Sequence, residues 1–283
     1  MTGVLVIVGT PLGNREDLSP RARAAILGAD LLLCEDTRSP NRLFGEGVGL
    51  PPRRSCFVGN EHERVAGMLA ALADGKRVAF LSEAGMPCWS DPGQKLVRAA
   101  LDAGYAVDVI PGPTAVATAV CHSGLPCDEV RFCGFPPRSG AARTEWLASL
   151  VGEPATVVSY EAGNRVAALL ADLARTLTDA GTRELVIARE LTKLHQEIVR
   201  GSVAELAAKS DAALLGEVTV VLAPAAVARG ELAQQQAARA LEVVLDASKK
   251  PREKARRLAE LTGLPARDIY ARLGGREPDD DAS

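Results

Sequence analysis

No apolar run in this chain approaches the roughly 20 residues that a bilayer-spanning helix needs, so no membrane partner is expected. Histidine is scarce, three residues in 283, and none stands near a cysteine or carboxylate at metal-site spacing. The six cysteines (Cys34, Cys56, Cys88, Cys121, Cys127 and Cys133) include no Cys-x-x-Cys pair. They read as free thiols, several of them in the core, and no metal is expected. There is no basic segment ahead of the first apolar run. Met1-Thr2-Gly3 leads straight into Val4-Leu5-Val6-Ile7-Val8, which reads as a core strand and not as a signal peptide, so a cytosolic location is expected. Nor is there an excess of positive charge. The formal net charge is -3, which argues against a general nucleic-acid binder.

What the chain does have is alternation. Short runs rich in Val, Leu and Ile fall at 4–8, 31–34, 78–81, 107–110, 156–159, 185–188 and 218–222. Their nearly continuous apolar character suits strands buried on both faces. Helical patterns lie between them, with start signals such as Ser19-Pro20 and apolar spacing of three and four over 63–72. This order predicts an α/β architecture with mainly parallel sheets. Breaks at Pro111-Gly112-Pro113-Thr114 and near 224–230 divide the chain into an α/β domain over 1–112, a second over 113–228, a helical module over 231–275 and a disordered acidic tail over 276–283. Within the module, helices are expected at 233–245, 252–261 and 266–273.

Residues with chemical content gather at the strand ends, where an open α/β sheet binds its ligands. Gly9-Thr10-Pro11-Leu12-Gly13-Asn14 follows the first strand but fails the G-x-G-x-x-G pattern, and Pro11 removes an N–H that a pyrophosphate would use. A neutral or cationic ligand fits this turn better than a nicotinamide cofactor. Glu35-Asp36-Thr37-Arg38 closes the second strand, as a substrate-holding group or a surface cluster. The loop Ser82-Glu83-Ala84-Gly85-Met86-Pro87-Cys88-Trp89-Ser90-Asp91-Pro92-Gly93 combines two prolines, two glycines that permit close backbone approach, and two carboxylates. Thr114-Ala115 opens an Ala-rich helix, with Thr114 a plausible cap. Tyr160-Glu161, Arg189-Glu190-Leu191-Thr192-Lys193 and Gly216-Glu217 before Val218 complete the set. Each also reads as an ordinary surface loop; their joint placement describes a cleft between two domains.

Taken in order along nearly the whole chain, these motifs resemble the tetrapyrrole-methylase superfamily of S-adenosylmethionine-dependent methyltransferases, and within it the branch that methylates small-subunit ribosomal RNA. The resemblance implies two αβα domains of the class III type with a cofactor cleft between them, and a homodimer. It implies S-adenosylmethionine held by Pro11, Leu12, Ser82, Glu83, Ala84, Gly85, Asp91, Thr114, Ala115, Tyr160, Leu191 and Val218. The implied reaction is 2′-O-methylation of a cytidine ribose in the decoding region of 16S rRNA, with free rRNA or the small ribosomal subunit as partner. A ribose hydroxyl is a poor acid, so a base or polarising cation would help; Lys193, Glu190, Asp36 and Arg38 are the candidates. The chain departs from the family pattern at Glu83 and Met86, where Asp and Thr are usual, at Ala162 in place of Ser, and at Leu215 in place of Lys. The alternative is a methyltransferase acting on a tetrapyrrole or another small molecule; a third reading is a non-catalytic RNA-binding protein that has kept the fold. Six cations in 249–257 (Lys249, Lys250, Arg252, Lys254, Arg256 and Arg257) against one acid favour RNA as partner, since phosphate contacts supply most non-specific affinity.

Overall fold

The apolar run after Gly3 forms β1 (Val4–Val8) in the computed structural model, which describes residues 3–45, 47–209, 215–225, 240–246, 248–262 and 264–273. With β2 (Leu31–Cys34), β3 (Arg53–Ser55), β4 (Arg77–Leu81) and β5 (Ala106–Ile110) it makes an all-parallel sheet in the order β3-β2-β4-β1-β5. The absence of polar alternation in β1 has a direct cause. Leu5 and Ile7 pack with Phe80 against Met68 and Leu72 of α3 (Glu61–Ala73) and Leu96 and Ala100 of α4 (Gln94–Asp102). Val6 and Val8 face the other way, onto Ala22, Ala25 and Ile26 of α1 (Pro20–Leu27). Both faces are covered, so both must be apolar. Helix α1 starts where its sequence says, with Ser19 Oγ accepting from the Ala22 N–H at 3.1 Å and Pro20 in the first turn. After β2 comes α2 (Ser39–Phe44).

The second sheet follows α5 (Ala115–Ser123). It contains β6 (Val130–Phe132), β7 (Thr156–Ala162), β8 (Glu184–Arg189), β9 (Glu197–Ser202) and β10 (Glu217–Leu222), in the order β6-β7-β10-β8-β9. Helices α6 (Gly140–Ala148), α7 (Val166–Thr176) and α8 (Val203–Lys209) connect them. Here the expectation of parallel strands is corrected: only β6 and β7 run parallel, and the other three pairings are antiparallel. The loop 190–196 is too short for the crossover that a parallel pair needs, so β8 and β9 fold back as neighbours. Strand β7 also runs past 159, which places Tyr160 and Glu161 within the strand and not after it.

Clustering of contacts divides the chain into two compact units. Met1–Ala148 and Ala155–Ala223 form the first, which holds both sheets, and Ser149–Pro154 with Pro224–Ser283 form the second. In the second unit a helical segment over 240–245 (α9), α10 (Pro251–Thr262) and α11 (Ala266–Arg272) surround Ala255, Leu258 and Ile269. The expected helix at 233–245 is described from 240 onward. Residues 226–230 of the expected boundary and the acidic tail lie outside the described residues. No helix among the described residues is long and apolar enough to cross a membrane.

Candidate functional site

Strands β1 and β4 are neighbours at the centre of the first sheet, so the loops leaving their carboxyl ends lie side by side. They are tied together. Thr10 and Gly85 form an antiparallel bridge, with the Thr10 N–H donating to Gly85 O at 2.9 Å and the Gly85 N–H to Thr10 O at 3.1 Å. Ser82 Oγ donates to the same Gly85 carbonyl at 3.2 Å. Gly85 has φ +79°, and a Cβ there would sit 3.2 Å from Leu12 Cδ2 and 3.3 Å from Pro113 O. The positive φ favours glycine, and a Cβ would press on the Leu12 methyl and the Pro113 carbonyl. The far end of the loop is fixed by Glu61 of α3, whose buried Oε1 accepts from the Gly93 N–H at 2.8 Å and the Lys95 N–H at 2.9 Å. That carboxylate caps α4 from a different helix, an arrangement favoured by the helix dipole. Between these anchors Cys88 (φ 69°) and Ser90 (φ 63°) hold left-handed backbone that non-glycine residues rarely adopt.

The second sheet supplies the opposite wall. Thr114 Oγ1 caps α5 by accepting from the Ala117 N–H at 3.1 Å. Antiparallel pairing sets Val218 beside Glu161 and Thr219 beside Tyr160. The two walls enclose a cavity of about 330 Å³, in the size range of small-molecule sites. Leu12, the 83–86 turn and Trp89-Ser90-Asp91 line it from the first sheet; Thr114, Ala115, Phe135, Tyr160–Ala162 and Gly216–Thr219 line it from the second.

Among the described residues, every charged residue lining the cavity is acidic: Glu83, Asp91, Glu161 and Glu217. Asp91 is raised to about 7 by burial and by repulsion from Glu35, Glu217 and Glu83. Burial, with Asp91 and Glu217 nearby, pushes the Tyr160 hydroxyl up to about 12. Glu161 is 2% exposed. Its Oε1 pairs with Arg165 at 3.4 Å and accepts from the Ala162 N–H at 3.0 Å, while its buried Oε2 has no hydrogen-bond partner among the described residues. The cavity thus fits a ligand that brings positive charge, and among the described residues it is lined by no cation for a phosphate.

Of the residues expected to hold a cofactor, Leu12, Glu83, Ala84, Gly85, Asp91, Thr114, Ala115, Tyr160 and Val218 line this cavity. Pro11, Ser82 and Leu191 are buried behind it; Ser82 holds Gly85, and Leu191 packs with Val186 and Ala188. The four candidates for base or cation do not line it. Asp36 and Arg38 hold each other at 2.7–3.0 Å, and that pairing keeps the Asp36 carboxyl down at about 2. Lys193 Nζ bridges Glu190 Oε1 at 3.1 Å and Glu217 Oε2 at 2.9 Å, so it acts on the cavity through Glu217. Burial alone would lower its pKa; the bonds to Glu217 and Glu190 outweigh this and raise it. Glu190 Oε1 also accepts from the Glu217 N–H at 2.9 Å, which holds the Glu190 carboxyl below its usual range. Phe135 and Thr219 were not singled out in the sequence, whereas Met86 and Trp89 stood in the 82–93 loop and Glu217 in Gly216-Glu217 without a cofactor role. Strand alternation at 217–219 was the one available signal.

The expected RNA-contacting cations lie in the second unit, on α10 or just before it. Lys249 pairs with Glu253 at 3.3 Å and Asp246 at 3.7 Å, Arg257 pairs with Glu253 at 3.7 Å, and Lys254 Nζ donates to Val244 O at 2.7 Å. Arg252 lies over the Tyr270 ring at 5.8 Å. Lys250 and Arg256 are exposed and have no ion-pair partner among the described residues.

Residues 4–207 match the family of tetrapyrrole (corrin/porphyrin) methylases. Ribosomal RNA small subunit methyltransferase I of Mycobacterium tuberculosis is 46% identical over 227 residues, covering 80% of this chain and 79% of the relative. The protein of that name from Thermotoga maritima is 42% identical over 221 residues, covering 78% of this chain and 98% of the relative. Among solved structures, a cobalt precorrin-4 methyltransferase superposes with a TM-score of 0.60 at 16% identity, covering 78% of this chain and 94% of that one. A Thermus thermophilus uroporphyrin-III C-methyltransferase complexed with S-adenosylhomocysteine gives 0.55 at 20% identity, covering 78% and 96%. These structures share the fold. On the sequence matches, the chain belongs to the tetrapyrrole methylases and, within them, to the S-adenosylmethionine-dependent ribosomal RNA small subunit methyltransferase I family.

Proposed function

We propose that this chain 2′-O-methylates a cytidine in the decoding region of 16S rRNA, with S-adenosylmethionine bound in the cavity between the two sheets. The observation that carries the cofactor assignment is a cavity whose charged lining residues, among those described, are all carboxylates. When bound, S-adenosylmethionine supplies an activated methyl group on a sulfonium cation and needs no metal. The chain's residues have three tasks. Glu83, Asp91 and Glu217 favour a cation in a partly dehydrated site, where charge–charge attraction is stronger than in water. Glu161, paired with Arg165, fixes the end of β7 beside Val218. The Thr10–Gly85 bridge and the Glu61 cap hold the loop still, and the gain from fixed positioning is large in a transfer between two bound groups.

The names of the relatives support RNA of the small subunit as substrate, and the basic stretch of α10 supports it independently. The ribose hydroxyl's proton needs an acceptor, and Asp91 is the carboxylate of the cavity whose pKa of about 7 suits that exchange near neutrality. A homodimer, implied by the family resemblance, completes the proposal. Mapping ribose methylation by mass spectrometry in small-subunit rRNA from cells with and without this gene tests it. One decoding-region cytidine should lose its methyl group in the deletion, and an unchanged map would overturn the assignment.

A further inference from the structure

Aromatic residues are rare here: two tryptophans, three tyrosines and five phenylalanines in the whole chain. One tryptophan, one tyrosine and two phenylalanines nevertheless meet at the cavity. Phe132 sits between Trp89 at 5.6 Å and Tyr160 at 4.9 Å, ring centroid to ring centroid, and Tyr160 also meets the Phe135 ring edge-on at 5.5 Å. Edge-to-face contact gives such a row its own stability and fixes the ring planes. The two inner rings are partly or largely covered, but the outer two are not: Trp89 is 48% exposed and Phe135 59%. Both line the cavity. Leaving two large rings half in water forfeits burial that a packed loop would recover. Trp89 is moreover held there by strained backbone, since its neighbours Cys88 and Ser90 both have positive φ.

We infer that Trp89 and Phe135 form a stacking platform for an unpaired nucleobase of the RNA, which holds the target nucleotide at the cavity mouth. This deepens the proposed function and rests on it. A ribose hydroxyl inside a folded RNA is not reachable by a cavity of this kind unless its nucleotide is turned out, and a turned-out base needs a π-face to replace its former stacking. The cavity's carboxylates repel phosphate, so recognition at the mouth falls to rings.

A Trp146→Phe background leaves Trp89 as the lone tryptophan reporter. A single-stranded oligoribonucleotide carrying the decoding-region sequence should quench its emission, whereas the same strand with an abasic target position or in a duplex should not. In methylation assays on small subunits, Trp89→Leu should raise the KM for RNA on the order of tenfold, the usual size of one missing base stack. Trp89→Phe should restore most of it, and in both variants the KM for RNA should move further than S-adenosylhomocysteine affinity, since Trp89 also lines the cofactor cavity. Equal behaviour of the Leu and Phe variants, or methylation by the parent without quenching, would overturn the platform. So would emission that shifts on dilution in the absence of RNA, because Trp89 would then be covered by a second copy. Quenching without any methylation of small-subunit RNA would uphold the platform and sink the proposed reaction instead.

Discussion

Asp91 is the residue whose charge the fold sets most delicately. Its carboxyl stands at about 7 against an ordinary 3.8, through burial first and then three neighbouring carboxylates. A carboxyl raised in this way keeps its proton longer in the folded chain than in the unfolded one. The contribution to stability is therefore full below about pH 4 and lost as pH rises through about 7. A bound cation reverses the preference, because it favours the ionised form. Calorimetry should find S-adenosylmethionine binding tighter at about pH 8 than at about pH 6, with a smaller change for S-adenosylhomocysteine, which lacks the sulfonium charge. Asp91→Asn should remove most of that difference; matching pH profiles in variant and wild type would refute the role. In sequence, Asp91 was legible as one of two carboxylates in a Gly- and Pro-rich loop. Glu35 and Glu217 were each legible at a strand end but not as its neighbours, since they arrive from β2's end and from the start of a strand in the other sheet. Asp36 and Arg38 show the converse: an acid and a base at a strand end that satisfy each other at 2.7–3.0 Å.

At the scale of elements, apolar runs buried on both sides were readable and edge strands were not. β1, β2 and β4 announce themselves as unbroken Val, Leu, Ala and Phe, because helices cover both faces of their sheet. β3 is Arg-Arg-Ser and β6 is Val-Arg-Phe, both three residues long and both edge strands, so little apolar pattern was available to mark them. The antiparallel second sheet was missed for a related reason: β9 is another edge strand, with Glu197 and Arg200 exposed. On α10 the sequence indicated a basic stretch, and the structure sorts it. Lys249 and Arg257 already share Glu253, whereas Lys250 and Arg256 are exposed without an ion-pair partner among the described residues. Replacing Lys250 and Arg256 by Ala should flatten the salt dependence of RNA binding, by roughly 0.7 in log–log slope for each phosphate left without its cation. The Lys249 and Arg257 double variant should change it less. Equal slopes in the two double variants would mean that the ion pairs open on binding.

For the whole molecule, the formal net charge of -3 and the acidic cavity mean that the proposed RNA attraction must rest on local cations. Binding should therefore be unusually sensitive to those side chains and little helped by the rest of the surface. The Glu61 carboxylate carries a different consequence, one of timing. It lies in the core on α3, and its two bonds reach the amides of Gly93 and Lys95 at the end of the cavity loop. Those amides cannot open unless α3 lets go. In native-state hydrogen exchange, Gly93 and Lys95 should exchange as slowly as the β4 amides, while Ser90 between the anchors exchanges fast. Fast exchange at Gly93 would show a loop that breathes on its own. Slow exchange would mean that the loop shares the lifetime of the sheet beneath it.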